Sequence, residues 1–219
     1  MELYERVRPK SLDGVVGQTK AVAACRRIIA QGAGGKAVFL SGPSGMGKTT
    51  LARILANSLG GGATIHEFRC ADELTADELA DIDRAYTLAR RGLFAPPTAI
   101  IVNEAHGLKA RQVRTLLGLL EPVPPSFLWV FTTTWAGEGF LEENAIDAGP
   151  LMSRCWGGGP IRLTNQGMAR AAAELVAGVA REHGLDGQPI EAYVRLANRH
   201  ASNVRGMLQE VESGAMMPE

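Results

Sequence analysis

Gly42-Pro-Ser-Gly-Met-Gly-Lys-Thr49 fits the pattern G-x-x-x-x-G-K-[ST], and its surroundings decide the fold. Ala37-Val-Phe-Leu-Ser41 before it reads as a buried strand. Leu51, Ile54, Leu55 and Leu59 after it recur at helical spacing until Gly60-Gly-Gly62 stops the run. Between strand and helix, glycines let a loop wrap with its N–H groups pointing inward, and the helix offers its positive N-terminal end to phosphate. Pro43, Ser44, Gly45, Met46, Gly47 and Thr50 are expected around the phosphates of a nucleotide. Lys48 is expected to reach the β and γ phosphates and the Thr49 hydroxyl to hold Mg²⁺.

Outward from this loop, short β-rich runs alternate with amphipathic helical patterns, which points to a parallel sheet with crossover helices. Ala63 to Phe68 reads as a second strand, and Leu79, Ile82, Tyr86 and Ala89 as a helix face. Thr98-Ala-Ile-Ile-Val102 is the strongest strand, followed by a Val113, Leu116, Leu117, Leu120 face and then the strand Phe127 to Thr133. Gly137 to Gly149 reads as a long acidic loop, and Ile161-Arg-Leu163 as a short extended piece. After Thr164 only helical faces remain, set by Met168 to Val179, Ile190 to Ala197 and Val204 to Val211. The expected fold class is therefore α/β, a phosphate-loop parallel sheet with flanking helices over 1–160. A small helical lid over 161–219 with a frayed tail follows it.

The strand from Thr98 ends in Asn103-Glu104-Ala-His106. Acids at the end of a strand neighbouring the phosphate loop hold the metal and polarise the attacking water, and the sheet's carboxyl edge faces the ligand crevice. Glu104 suits the water role. Asn103 stands where an aspartate is expected, and a neutral amide binds the Mg²⁺ shell more weakly than a carboxylate. Slow turnover with a raised Mg²⁺ requirement is the expectation, relieved by Asn103→Asp. A hydroxyl among Thr132, Thr133 and Thr134 could sense the γ-phosphate. His106 reads as a strand-end histidine held by local hydrogen bonds.

Composition excludes several other classes. The 219 residues carry 23 basic and 23 acidic side chains, so bulk positive charge cannot drive nucleic-acid binding. Apolar runs are far shorter than the ~18 residues of a membrane span. No leader is visible in Met1-Glu-Leu-Tyr-Glu-Arg6, and a cytoplasmic chain is expected. Cys25, Cys70 and Cys155 are odd in number and far apart, as suits reduced thiols. Glycine is abundant, 26 of 219, and clusters where elements end or backbone must come close to something.

The residues resemble the AAA+ ATPases of the clamp-loader type, including the small subunit of replication factor C and the ATPase subunits of bacterial and phage clamp loaders. Leu3-Tyr4-Glu-Arg-Val-Arg8-Pro9-Lys10 and Val15-Val16-Gly17-Gln18 look like the family's opening. The phosphate loop, Ile100 to His106, Leu116 to Glu121-Pro, Thr132-Thr133, Ser153-Arg154-Cys155 and Asn203-Val-Arg205-Gly-Met-Leu208 follow in the family's order. The resemblance implies ATP and Mg²⁺ as cofactors, with Tyr4, Arg8, Pro9, Val15 and Val16 lining the adenine pocket. It implies Thr133 as the first sensor, Arg205 touching the γ-phosphate from the lid, and Arg154 as a finger supplied to a neighbour's ATP. It further implies fellow AAA+ subunits, a sliding clamp and primer-template DNA as partners.

Departures from the family temper that picture. Asn103 replaces its metal-holding aspartate. No helical collar follows the lid within these residues, and no cysteine cluster corresponds to the zinc module of the bacterial subunits. An ATP-binding switch with weak hydrolysis is one alternative. A DNA motor resembling the Holliday-junction branch-migration proteins is another, against which Ser153-Arg154-Cys155 argues. Lys109, Arg111 and Arg114 form a candidate phosphate-tracking stripe on the helix after Glu104.

Overall fold

The computed structural model describes residues 1–93, 96–134 and 149–217. Its centre is a five-stranded sheet of β1 (Lys36–Ser41), β2 (Thr64–Phe68), β3 (Thr98–Val102), β4 (Phe127–Thr133) and β5 (Ile161–Arg162), in the order β2-β3-β4-β1-β5. Every pairing is parallel. β3 and β4 are buried at every position, which is why they read as unbroken apolar runs. β2 is an edge strand, exposed over its first three residues. The Gly137 to Gly149 loop lies, but for its last residue, outside the described residues.

Period-two alternation divides the sheet between two cores. Phe39, Ile100, Val102, Trp129 and Phe131 face α4 (Ala76–Arg90) and α5 (Ala110–Leu119). Val38, Leu40, Ala99, Ile101 and Val130 face α2 (Thr19–Ala30) and α3 (Lys48–Asn57). α4 begins at Thr75, whose hydroxyl accepts the Glu78 N–H at 3.2 Å, and it is anchored by Tyr86. The Tyr86 hydroxyl accepts the buried Trp129 Nε1–H at 2.6 Å. α2 is not among the elements expected from sequence, because its buried face is only Ala21, Cys25 and Ile28. All three cysteines are free thiols.

The lid packs α7 (Ala169–Glu182), α8 (Ile190–Arg199) and α9 (Val204–Glu212) around a third core. Two features cross the expected division at residue 160. β5 belongs to the sheet, and the N-terminal turn α1 (Leu3–Arg6) belongs to the lid core through Leu3. The Leu3 N–H donates to both carboxylate oxygens of Glu212 at 3.1 Å. The tail beyond α9, expected to fray, instead buries Met216 against the lid. Gln18 ties sheet to lid: its Nε2 donates to the Thr164 carbonyl at 2.8 Å, and its Oε1 accepts the Thr164 N–H at 3.1 Å.

Candidate nucleotide site

The phosphate loop leaves β1 and enters α3 through three glycines with positive φ, Gly42, Gly45 and Gly47. Gly42 is required by its neighbour: a Cβ there would stand 2.6 Å from the Leu163 carbonyl oxygen just past β5. Lys48 opens α3 and folds back, donating to the carbonyls of Gly42 at 2.8 Å and Pro43 at 2.9 Å. Burial lowers its pKa, partly offset by the nearby negative charge of Glu104, while Arg205 pushes it further down. A buried ammonium that rests on loop carbonyls is poised to exchange them for an anion.

Asn103, at the end of β3, is the hub beside this loop. Its Oδ1 accepts from the Thr49 hydroxyl at 3.2 Å and the Thr132 hydroxyl at 2.9 Å. Both lone pairs of that oxygen are used by these two hydroxyls, so Asn103 holds Thr49 and Thr132 together. The Thr49 oxygen keeps a lone pair of its own, and a hydroxyl oxygen suits Mg²⁺ when nucleotide phosphates bring the charge. Glu104 follows in the left-handed region at φ 50°, an uncommon conformation for a residue with a Cβ. Its carboxylate is half-exposed and stands 3.3 Å from His106 Nδ1.

A cleft open to solvent runs from this point between sheet and lid. Tyr4, Arg8, Pro9, Val15 and Val16 line it, together with Ser44 to Thr50, Glu104 and Arg205. Arg8 donates to the Thr50 hydroxyl at 3.0 Å. The Arg205 guanidinium lies over the Tyr4 ring, 5.3 Å from its centroid, so the lid and the N-terminal turn meet across one wall. Residues far apart in sequence thus line one cleft. Pro43 does not line the cleft, and the threonine that does is Thr132, not Thr133. Successive strand residues point to opposite faces, and Thr133 is within 3.3 Å of His106 instead.

Arg154 is not brought to this cleft. It pairs with Glu121 through Nε at 2.9 Å and donates from Nη1 to the Pro150 carbonyl at 2.9 Å. Met168, Leu175 and Val179 of the first lid face, with Val204 and Leu208 of α9, supply apolar cleft wall that the sequence reading assigned only to helix packing. Their periodicity marks a buried stripe, and periodicity does not distinguish a core from a ligand wall.

Residues 38–138 match the model of the ATPase family associated with various cellular activities (AAA). Over that stretch, from β1 to just past β4, the chain matches an AAA domain. Over 156 residues it is 31% identical to DNA polymerase III subunit gamma/tau of Mycobacterium tuberculosis, an alignment covering 61% of this chain and 27% of that protein. It is 27% identical over 154 residues to the replication factor C small subunit of Staphylothermus marinus, covering 69% of this chain and 44% of that one. The chain superposes on the Thermotoga maritima RuvB Holliday junction branch migration motor with a TM-score of 0.69 at 24% identity. That superposition covers 94% of this chain and 64% of RuvB, and it is a likeness of fold. The chain thus spans less than half the length of these two curated relatives. Among the described residues no helix is long and apolar enough to cross a membrane.

Proposed function

We propose that this chain binds ATP with Mg²⁺ and hydrolyses it as a subunit of a clamp-loader-like assembly, setting a ring clamp on primed DNA. The observation that carries this reading is the convergence of the phosphate loop, Glu104 and Arg205 on one cleft. The relatives named as DNA polymerase III and replication factor C subunits support the clamp-loader part. Tyr4, Val15 and Val16 form the wall on which adenine rests, and Arg8 holds the rim beside Thr50.

In this scheme Lys48 leaves the loop carbonyls and pairs with the β and γ phosphates, while the loop N–H groups and the α3 N-terminus hold the rest. Bound Mg²⁺ supplies charge neutralisation at the phosphate oxygens. The Thr49 hydroxyl offers it an oxygen, and Asn103 holds that hydroxyl in place. Glu104 orients the attacking water, Thr132 occupies the first-sensor position in place of Thr133, and Arg205 approaches the γ-phosphate from the lid. Arg154 acts on a neighbouring subunit's nucleotide, so turnover requires docked AAA+ subunits. Lys109, Arg111 and Arg114 track the DNA backbone. The assembly works in the cytoplasm.

The neutral Asn103 favours a second reading, an ATP-binding switch with weak hydrolysis. Titration calorimetry with ATP, on the parent and on Lys48→Ala, tests the shared part: unchanged affinity in the variant overturns it. Steady turnover with and without primed DNA, and with clamp or four-way junction added, separates loader, switch and motor. A loader is stimulated by primed DNA, a motor by the junction and a switch by neither.

A further inference from the structure

The Asn103 amide has one orientation its neighbours allow. Its Nδ2 faces Glu67 Oε1 at 3.1 Å and the Phe68 carbonyl at 3.2 Å, two groups that only accept. Its Oδ1 must then turn to the hydroxyls of Thr49 and Thr132. Glu67 lies on β2, one strand away from Asn103, and is itself gripped by Arg53 of α3. Arg53 Nε donates to Glu67 Oε2 at 2.7 Å and Nη2 to Oε1 at 3.2 Å. Arg53 also reaches Glu5, 3.4 Å away, and Glu5 pairs with the cleft residue Arg8. Asn103 is 8% exposed, and the Glu67 carboxylate is shared between its amide and the Arg53 guanidinium.

We propose that Glu67 and Asn103 are an acid and an amide exchanged in place: Glu67 carries the negative charge expected at 103, and as a positioning residue it fixes the amide that holds Thr49. The consequence at Mg²⁺ rests on the nucleotide-binding reading above; the pairing belongs to the ligand-free protein. Asp at 103 has no N–H for Glu67 or Phe68, and its carboxylate stands about where Nδ2 now meets Glu67. Two carboxylates at that separation repel. Asn103→Asp by itself is therefore expected to harm the site, contrary to the reading of the sequence alone. Paired with Glu67→Gln, whose amide can donate to the new carboxylate, it is expected to be accommodated.

The test is a double-mutant cycle on the full chain, read by thermal unfolding without nucleotide or metal. Asn103→Asp should lower Tm by about 4 °C or more, and the Asn103→Asp/Glu67→Gln protein should regain most of that loss. If Asn103→Asp does not fold, soluble yield of single against double variant gives the same comparison. The second readout is ATP affinity by calorimetry, with Mg²⁺ and with EDTA. Glu67→Gln should shrink the gain in affinity that Mg²⁺ confers while leaving affinity in EDTA unchanged, which a merely structural defect would not do. The exchanged pair in the double variant should restore the Mg²⁺ gain. Additive Tm losses, or an Asn103→Asp protein as stable as the parent, overturn the pairing; an unaltered Mg²⁺ gain in Glu67→Gln overturns the positioning role. A parent that binds no ATP overturns the nucleotide reading and leaves the Tm cycle to judge the pair.

Discussion

Asn203, which caps α9, sets its side-chain oxygen in the space that Gly45 leaves by having no Cβ. A Cβ built on Gly45 would collide with Asn203 Oδ1, and that same oxygen accepts the Gly206 N–H at 3.1 Å. The lid helix carrying Arg205 is therefore seated directly on the phosphate loop. Gly45 also has φ +74°, so a side chain there is strained as well as obstructed.

Gly45→Ala should push the start of α9 away and weaken ATP binding by tenfold or more, on the order of the 1.4 kcal/mol that a tenfold change represents. Asn203→Ala removes the cap at a cost of roughly 0.5–2 kcal/mol, yet clears the obstruction. Calorimetry should find Gly45→Ala/Asn203→Ala binding ATP more tightly than Gly45→Ala alone.

Hydrolysis should depend on Glu104 of one subunit and Arg154 of the next. Glu104→Gln and Arg154→Ala subunits should each be inactive alone and regain part of the parental rate when mixed, since mixing creates interfaces with both groups intact. A mixture no faster than either variant argues against shared sites. Glu121 holds Arg154 in the single chain, so Glu121→Gln should lower the subunit concentration needed for half-maximal turnover.

Tyr86→Phe removes the one hydroxyl that accepts the buried Trp129 N–H. An unsatisfied buried donor costs about 1–3 kcal/mol, which for a chain of this size is a fall in Tm of about 2–12 °C. The cleft is not involved, so ATP affinity should be unchanged. Thermal unfolding and calorimetry on the same sample check both halves.

Burial pushes the thiols of Cys25 and Cys155 up to about 12. The thiolate is the reactive form, and with the folded pKa raised it is scarce below that value. At pH 8 a thiol reagent should modify Cys70, which is only half-buried, and reach the other two only in denaturant. Rapid reaction of all three in the native protein would contradict the packing of α2 and of the Cys155 segment.

The phosphate loop was legible because it is local. Its glycines, lysine and threonine are contiguous, and the flanking strand and helix announce themselves by their own periods. β3 and β4 were legible for the same reason, being apolar at every position. α2 was missed because alanine and cysteine give a shallow apolar contrast. The choice between Thr132 and Thr133 depended on the phase of a strand, which a run of three threonines conceals.

By itself the sequence determined the parallel α/β core, the loop at its carboxyl edge and the helical region after Thr164, since each follows from short-range spacing. Tertiary structure alone decided how charge is shared around Asn103. Glu5, Arg53 and Glu67 lie on an N-terminal turn, a helix and an edge strand with no spacing that links them, and they meet only when the lid and sheet are packed. An amide in place of a carboxylate reads as a loss in one dimension. In three dimensions Glu67 on the next strand faces that amide at 3.1 Å, and electrostatic energy depends on distance through space and not on separation along the chain.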